Sequence, residues 1–60
     1  MEGKCECIAL SDKKGVLGKT YNFYRYYIGD NRFYYKLYDN GVYVDTYNHT
    51  DFVRCFDKEK

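Results

Sequence analysis

The amino-acid sequence predicts an all-β fold in which five short strands close into a small barrel. The first observation is Asn40-Gly41, which lies between two strand-like runs and is typical of a tight hairpin turn. The second is that polar or glycine-containing segments divide the rest of the 60-residue chain into three further short strands. Closing such a sheet leaves few unpaired edges, which favours a barrel.

The first strand is expected over residues 4–10, where Cys5, Cys7 and Ala9 share one face. Small cysteines on an inward face suit a tight barrel. With Cys55 the chain has three cysteines, and an odd count fits poorly with a closed disulfide framework. We therefore expect free thiols.

A loop rich in charge and glycine follows over residues 11–18, and a second strand then runs to about Ile28. Tyr21 and Phe23 share one face of this strand. Residues 24–27 do not alternate cleanly, which predicts a bulge or a strong bend. Residues 29–32 form a turn.

The central hairpin covers residues 33–47, and a two-residue type I′ loop at Asn40-Gly41 sets its register. A three-residue loop through Asp39 would mix the apolar and polar faces, so the two-residue loop is favoured. The predicted cross-strand pairs are Tyr38–Tyr43, Leu37–Val44, Lys36–Asp45, Tyr35–Thr46 and Tyr34–Tyr47. The predicted inner face carries Phe33, Tyr35, Leu37, Val42 and Val44. The predicted outer face carries Tyr34, Tyr38, Tyr43 and Tyr47 around the Lys36–Asp45 pair.

After the hairpin, Asn48 can cap a single helical turn, with Asp51 three residues on in a capping-box-like relation. The segment is brief, which favours a short 3₁₀ turn over a longer helix. Residues 52–56 are the expected last strand, and residues 57–60 are an expected solvated tail. The chain is one domain, 1–60, with a core at about 4–56.

Several segments also follow a pattern that recurs in other small proteins. They are Cys7-Ile8, Leu17-Gly18-Lys19-Thr20-Tyr21, Tyr35-Lys36-Leu37-Tyr38-Asp39-Asn40-Gly41, and Tyr47 followed by Phe52. Over roughly residues 5–56 the chain resembles SH3-like barrel proteins encoded by phages and prophages of Gram-positive bacteria. It departs from them in its many tyrosines and in the second cysteine of Cys5-Glu6-Cys7. The resemblance implies an inhibitor that occludes a bacterial host or defence protein, as anti-defence and anti-CRISPR proteins do.

Charge and hydropathy narrow the possible partners. The net charge of +1 argues against bulk phosphate binding, although residues 13–38 carry six basic residues against one acidic residue. That uneven distribution can mark a partner surface, or it can cancel in three dimensions. No apolar run approaches the roughly 18 residues of a membrane span, and the N-terminus lacks a signal peptide's apolar core. We expect a cytoplasmic protein with no membrane partner.

No catalytic constellation is evident, so we expect a protein that is not an enzyme and that needs no cofactor. His49 is the only histidine and is expected in an exposed turn. Cys5, Cys7, Cys55 and His49 together make a formal zinc set, but Cys-x-Cys is not the usual knuckle spacing, and buried thiols are the favoured interpretation. Residues 15–20 end in Gly-Lys-Thr without the glycine spacing of a phosphate-binding loop.

The tyrosines are the candidate functional residues, because tyrosine is enriched at binding hot spots. The expected partner-binding residues are Tyr34, Lys36, Tyr38, Tyr43, Asp45 and Tyr47. The partner is expected to be another protein, or a second copy of this chain in a homodimer. One alternative is single-stranded nucleic acid, with contacts from Tyr24, Arg25, Tyr26 and Arg32. Others are an aromatic cage for a cation, and cross-strand tyrosine pairs that only stabilise the hairpin.

Overall fold

A computed structural model describes residues 2–11 and 13–59, in which one antiparallel sheet of five strands carries a short helix on one side. The elements in chain order are β1 (Glu2–Cys7), β2 (Thr20–Tyr27), β3 (Phe33–Asp39), β4 (Val42–Asn48), α1 (His49–Cys55) and β5 (Phe56–Lys58). The strands lie in the order β4-β3-β2-β1-β5, so the last strand is the neighbour of the first. The predicted count of five strands is confirmed.

The sheet is open, and the predicted closed barrel is not formed. In the described part of the chain, β4 and β5 are the two edges and do not pair with each other. The β5 strand has only three residues. On β4, the backbone N–H of Thr46 donates to the Asp45 carboxylate at 2.8 Å. A charged side chain that occupies a backbone donor in this way makes an edge strand a poor template for further pairing.

The hairpin turn forms as predicted. Asn40 has a φ of 53° and Gly41 a φ of 82°, which are the two positive angles of a type I′ turn. Beyond the turn, Tyr38 lies opposite Tyr43, as the two-residue loop requires.

A β-bulge in β4 changes the register after that pair. Leu37 lies opposite Asp45, which leaves Val44 as the extra residue, and Lys36 then lies opposite Thr46. The four pairs predicted beyond Tyr38–Tyr43 are therefore wrong by one residue: Leu37–Val44, Lys36–Asp45, Tyr35–Thr46 and Tyr34–Tyr47. The bulge predicted over residues 24–27 is also wrong, because β2 keeps one continuous register with β3. One extra residue turns every later side chain of β4 to the other face.

The segment after β4 is an α-helix of seven residues, not a 3₁₀ turn, and it replaces most of the predicted last strand. The N-cap prediction is confirmed, since the N–H of Asp51 donates to the Asn48 side chain at 2.8 Å. Arg54 then pairs with Asp51 at 2.8 Å on the exposed side. Phe52 and Cys55 are three residues apart, a spacing that places both on the buried face of one helix.

The bounds of the first and last strands also differ from the prediction. The β1 strand begins at Glu2 and ends at Cys7, earlier than predicted at both ends. Asp57 and Lys58 belong to β5, where they pair with Glu6 and Cys5, so they are not part of a solvated tail. Lys60 lies outside the described residues.

The core lies between the sheet and α1. Its buried members are Cys5, Cys7, Tyr21, Phe23, Tyr35, Leu37, Tyr47, Phe52, Cys55 and Phe56. The Phe52 ring stacks on Tyr35 with centroids 3.9 Å apart and an angle of 1° between the planes, and it also contacts Phe23 and Phe56. Through the Phe52 ring, α1 thus packs directly against the aromatic residues of the core.

The loop between β1 and β2 covers one end of this core by bonding to two buried phenols. The N–H of Gly15 donates to the Tyr47 hydroxyl at 3.1 Å, and the N–H of Val16 donates to the Tyr21 hydroxyl at 3.0 Å. A Cβ at Gly15 would lie 3.1 Å from the Phe56 ring, so the loop backbone approaches the core closely. Buried hydroxyls are thereby satisfied.

We predict that Phe52→Ala lowers the free energy of unfolding by about 3–5 kcal/mol, because it empties the ring stack that joins α1 to the sheet. Val53 lies on the same helix and is 50% exposed, so Val53→Ala should change that free energy by no more than about 0.5 kcal/mol. Urea denaturation of the two variants gives the comparison. Equal losses would show that α1 does not pack as described.

Candidate functional site

Tyrosine side chains collect on the face of the sheet opposite the core. We call this surface the tyrosine face; it consists of Tyr24, Tyr26, Tyr34, Tyr38 and Tyr43 with Lys36 among them. Strand alternation puts these residues there: Tyr24 lies opposite Lys36 and Tyr26 opposite Tyr34, while the residues between them on β2 and β3 point to the other side. Tyr24 is 44% exposed and Tyr43 52% exposed.

Three of these rings form a row. The Tyr24 and Tyr26 rings lie 6.3 Å apart at an angle of 18°, and those of Tyr26 and Tyr34 lie 6.1 Å apart at 29°. The first pair is two residues apart on β2, and the second pair lies directly across from β2 to β3. Tyr38 and Tyr43 form a separate edge-to-face pair beside the turn, 6.0 Å apart. The face therefore presents two aromatic groups side by side.

Lys36 is the cation at the centre of the face. Its Nζ lies 5.3 Å from the centre of the Tyr26 ring, within the range of a cation–π contact. Of the carboxylates in the described residues, none forms a salt bridge with it. Lys19, by contrast, is bound to Asp39 at 2.6 Å, and this hydrogen bond raises the pKa of the Lys19 ammonium.

Two residues predicted for the outer face are not on it. Tyr47 is only 1% exposed and lies in the core opposite Tyr35, because the β4 bulge reverses its direction. Burial raises the pKa of the Tyr47 phenol. Asp45 is partly buried and lies opposite Leu37, away from Lys36. The expected placement of Tyr47 and of the Lys36–Asp45 pair is thus corrected, and Tyr34, Lys36, Tyr38 and Tyr43 remain together.

The residues predicted for nucleic-acid contact divide into two groups. Tyr24 and Tyr26 join the tyrosine face, and their spacing of two along one strand was the signal that could have placed them there. Arg25 points to the other side of β2, where its guanidinium lies 4.7 Å from the Phe33 ring. Arg32 lies in the turn between β2 and β3. Neither arginine is interleaved with the tyrosines as predicted.

An open groove crosses the tyrosine face between its two aromatic groups. Tyr24 and Tyr38 line it together with Asn22, which lies directly opposite Tyr38. Glu2 and Lys4, both on β1, also line the groove. The groove therefore combines ring surface with an amide and with charges of both signs.

Cys5, Cys7 and Cys55 are buried and free, as predicted. Burial raises the pKa of Cys5 from 9.0 to about 12, with smaller contributions from Cys7 and Glu59. Burial also raises the pKa of Cys7, whose Sγ donates to the Ala9 carbonyl. A thiol with a raised pKa is a poor nucleophile at neutral pH.

The formal zinc set is not assembled in the described residues, where no three or more His, Cys, Asp and Glu side chains come together as a possible metal site. His49 is exposed, at the start of α1. Its Nδ1 lies 2.9 Å from the Tyr35 hydroxyl, so the ring is tied to the core phenol.

We predict that the protein loses stability in alkaline solution because of these thiols. Between pH 9 and pH 12 the unfolded chain releases the Cys5 proton while the folded chain retains it. The free energy of unfolding therefore falls as pH rises, by up to about 1.4 kcal/mol per pH unit from Cys5. Urea denaturation across that range measures the slope. Cys5→Ala should have a shallower slope; an unchanged slope would contradict the assignment.

The tyrosine face is the strongest candidate site in the described chain, since it gathers exposed rings and a cation outside the core. Within the same residues, no helix has the length and apolar character needed to cross a membrane. Comparisons of the chain with protein-family models, with curated proteins and with solved structures give no match.

Proposed function

We propose that this protein is a binding module without catalytic activity, and that its tyrosine face docks onto another protein. The observation that supports the proposal is the position of five tyrosines on the one face of the sheet that does not contribute to the core. Tyrosine combines ring area with a polar tip and loses little rotamer entropy on binding, which is why it dominates many hot spots.

A purely structural role accounts for only part of this surface. Cross-strand ring pairs stabilise a sheet by roughly 0.2–1 kcal/mol each, and Tyr38–Tyr43 next to the turn is such a pair. Tyr24 lies two residues from Tyr26 on the same strand and opposite the aliphatic stem of Lys36. Tyr24 is 44% exposed although it stacks on Tyr26, so it keeps surface that a partner could cover.

The partner we propose is a bacterial host or defence protein that this chain occludes, in keeping with its resemblance to small phage proteins. The position of β5 beside β1 supports an SH3-like arrangement, in which the last strand returns to the first. Such an inhibitor works by covering a surface and needs no reactive group. A second copy of the chain is the other protein partner that the same face could take, and light scattering at high concentration distinguishes the two.

We predict that Tyr43→Ala and Tyr38→Ala each weaken the complex by roughly 30-fold or more, because each removes one ring of the aromatic pair beside the turn and with it contact area for the partner. Affinity capture from bacterial lysate with mass-spectrometric identification provides the measurement. Unfolding in urea should show that Tyr43→Ala keeps its fold, since that ring is half exposed.

Val53→Ala is the control. Val53 is 50% exposed on α1, which packs against the core side of the sheet, away from the tyrosine face. This variant should capture the same protein as the unaltered chain. If the unaltered chain and Tyr43→Ala retain identical sets of proteins, the tyrosine face is not the docking surface.

Single-stranded nucleic acid is the second candidate, and the β4 bulge favours it more than the sequence did. Asp45 was expected in the middle of the ring platform, but it lies off the face, and Lys36 remains there without a carboxylate partner in the described chain. Aromatic rings and a cation on one sheet can hold successive bases. Near-zero net charge and the acidic Glu2 beside the groove weigh against this candidate.

This second candidate predicts that an oligothymidylate binds to the chain and that its affinity falls steeply as salt rises, because each phosphate contact releases counterions. Fluorescence anisotropy at several salt concentrations measures the slope. Lys36→Gln should reduce the slope, whereas Lys14→Gln in the loop after β1 should not. A flat salt response, or no binding, removes nucleic acid as a candidate.

A further inference from the structure

A second pocket lies at the end of the tyrosine face, beyond the row of three rings. It is formed where the turn before β3 meets the start of α1, and Arg32, Tyr34, His49 and Thr50 are among the residues that line it. Tyr34 belongs to both surfaces, because its ring contacts Tyr26 on the tyrosine face. The pocket is therefore continuous with the candidate site.

His49 is held in a fixed orientation in this pocket. Tyr35 is completely buried, its ring stacks on Phe52, and its hydroxyl lies 2.9 Å from Nδ1 of His49. The direction of this hydrogen bond depends on the imidazole tautomer. In the neutral tautomer whose Nδ1 accepts the phenol proton, the imidazole proton is on Nε2, which leaves an N–H donor on the far side of the ring.

Arg32 supplies the positive charge of this pocket. No described carboxylate forms a salt bridge with it, and none of the described residues that line the pocket is acidic. Asp30 lies in the same turn but does not line the pocket, and Asp51 of α1 is engaged by Arg54 at 2.8 Å. The described lining of the pocket thus includes a guanidinium, an imidazole and a hydroxyl, and it contains no acidic residue.

We propose that this pocket binds the side-chain carboxylate of an acidic residue of the partner, a proposal that rests on the protein-docking function of the tyrosine face. A guanidinium matches a carboxylate in shape and can donate two parallel hydrogen bonds to it. The site therefore fixes the orientation of a partner whose aromatic or apolar surface covers the tyrosines and whose carboxylate enters beside Tyr34.

A single carboxylate fits the charge distribution better than a phosphate chain does. Binding a strand depends on neutralising several phosphates in succession. Along the face, the cation Lys36 is followed by the mixed charges of Glu2 and Lys4 at the groove. Arg32 in the pocket and Lys36 on the adjoining face have no salt-bridge partner among the described residues. This local positive charge suits one anionic group.

The test is a titration of the full chain, followed by ¹H–¹⁵N correlation spectra, with glutamate blocked at both ends as N-acetyl-glutamate N-methylamide. Saturable shifts are expected at residues 31–34 and 48–50. The uncharged blocked glutamine should cause none. Arg32→Gln should abolish the response and His49→Gln should reduce it, whereas Lys14→Gln, which removes the same charge from an exposed loop, should preserve it.

Several outcomes would overturn the proposal. The first is that blocked glutamate causes no shifts at the pocket. The second is that blocked glutamine causes the same shifts. The third is that the shifts persist in Arg32→Gln. Another is a response of the pocket to inorganic phosphate or to oligothymidylate but not to blocked glutamate, which would assign the pocket to a phosphate. The tyrosine face is separable, because Tyr43→Ala should retain the blocked glutamate response. Loss of partner capture in that variant with the response intact confirms both sites, and a response without any partner refutes the docking function alone.

Discussion

The extra residue in β4 determines how this protein divides its tyrosines between core and surface. Tyr43 precedes the bulge at Val44 and stays outside, while Tyr47 follows it and points inward opposite Tyr35. Without the bulge, alternation would put both rings in solvent, and the core would lose one of its largest fully buried side chains. The same shift moves Asp45 off the outer face and leaves Lys36 surrounded by rings. Both the packing of the interior and the character of the candidate site therefore depend on one irregular position.

Buried and exposed tyrosines also differ in the partners of their hydroxyl groups and rings. Each buried phenol has a defined partner: His49 for Tyr35, the N–H of Gly15 for Tyr47, and the N–H of Val16 for Tyr21. These bonds satisfy the hydroxyls and at the same time attach a loop and a helix end to the core. Among the described residues, the ring contacts of the outer face are with one another or with Lys36, and the Tyr43 hydroxyl makes a local hydrogen bond with Thr46. The outer rings thus keep much of their surface and hydrogen-bonding capacity available.

The features that could be predicted from the sequence are those set by interactions between residues close together in the chain. Asn40-Gly41 marked the turn because few residue pairs accept two positive φ angles, and Asn48 marked the helix start because its side chain can accept a backbone N–H. The bulge at Val44 has no such mark, since a valine suits a regular strand equally well. Phe52–Phe56 was ambiguous for a related reason: a short apolar run fits a strand or a helix, and here the stacking of Phe52 on Tyr35 decides for the helix. Closure of the sheet depends on the two distant edge strands, about which the residues of each strand say little.

The separation of buried from exposed tyrosines affects how a small protein can keep aromatic rings on its surface. A 60-residue domain has little stability in reserve, so each exposed aromatic ring that it keeps adds a risk of aggregation without adding much to the fold. The bulge and the Asp45 carboxylate limit that risk at the β4 edge, where another strand could otherwise add to the sheet. The chain therefore protects its backbone edge while leaving a ring-covered face open. That combination discourages indiscriminate strand pairing at the β4 edge. In the proposed docking, recognition would then depend on side chains, with the rings supplying contact area and the cations beside them restricting which partner fits.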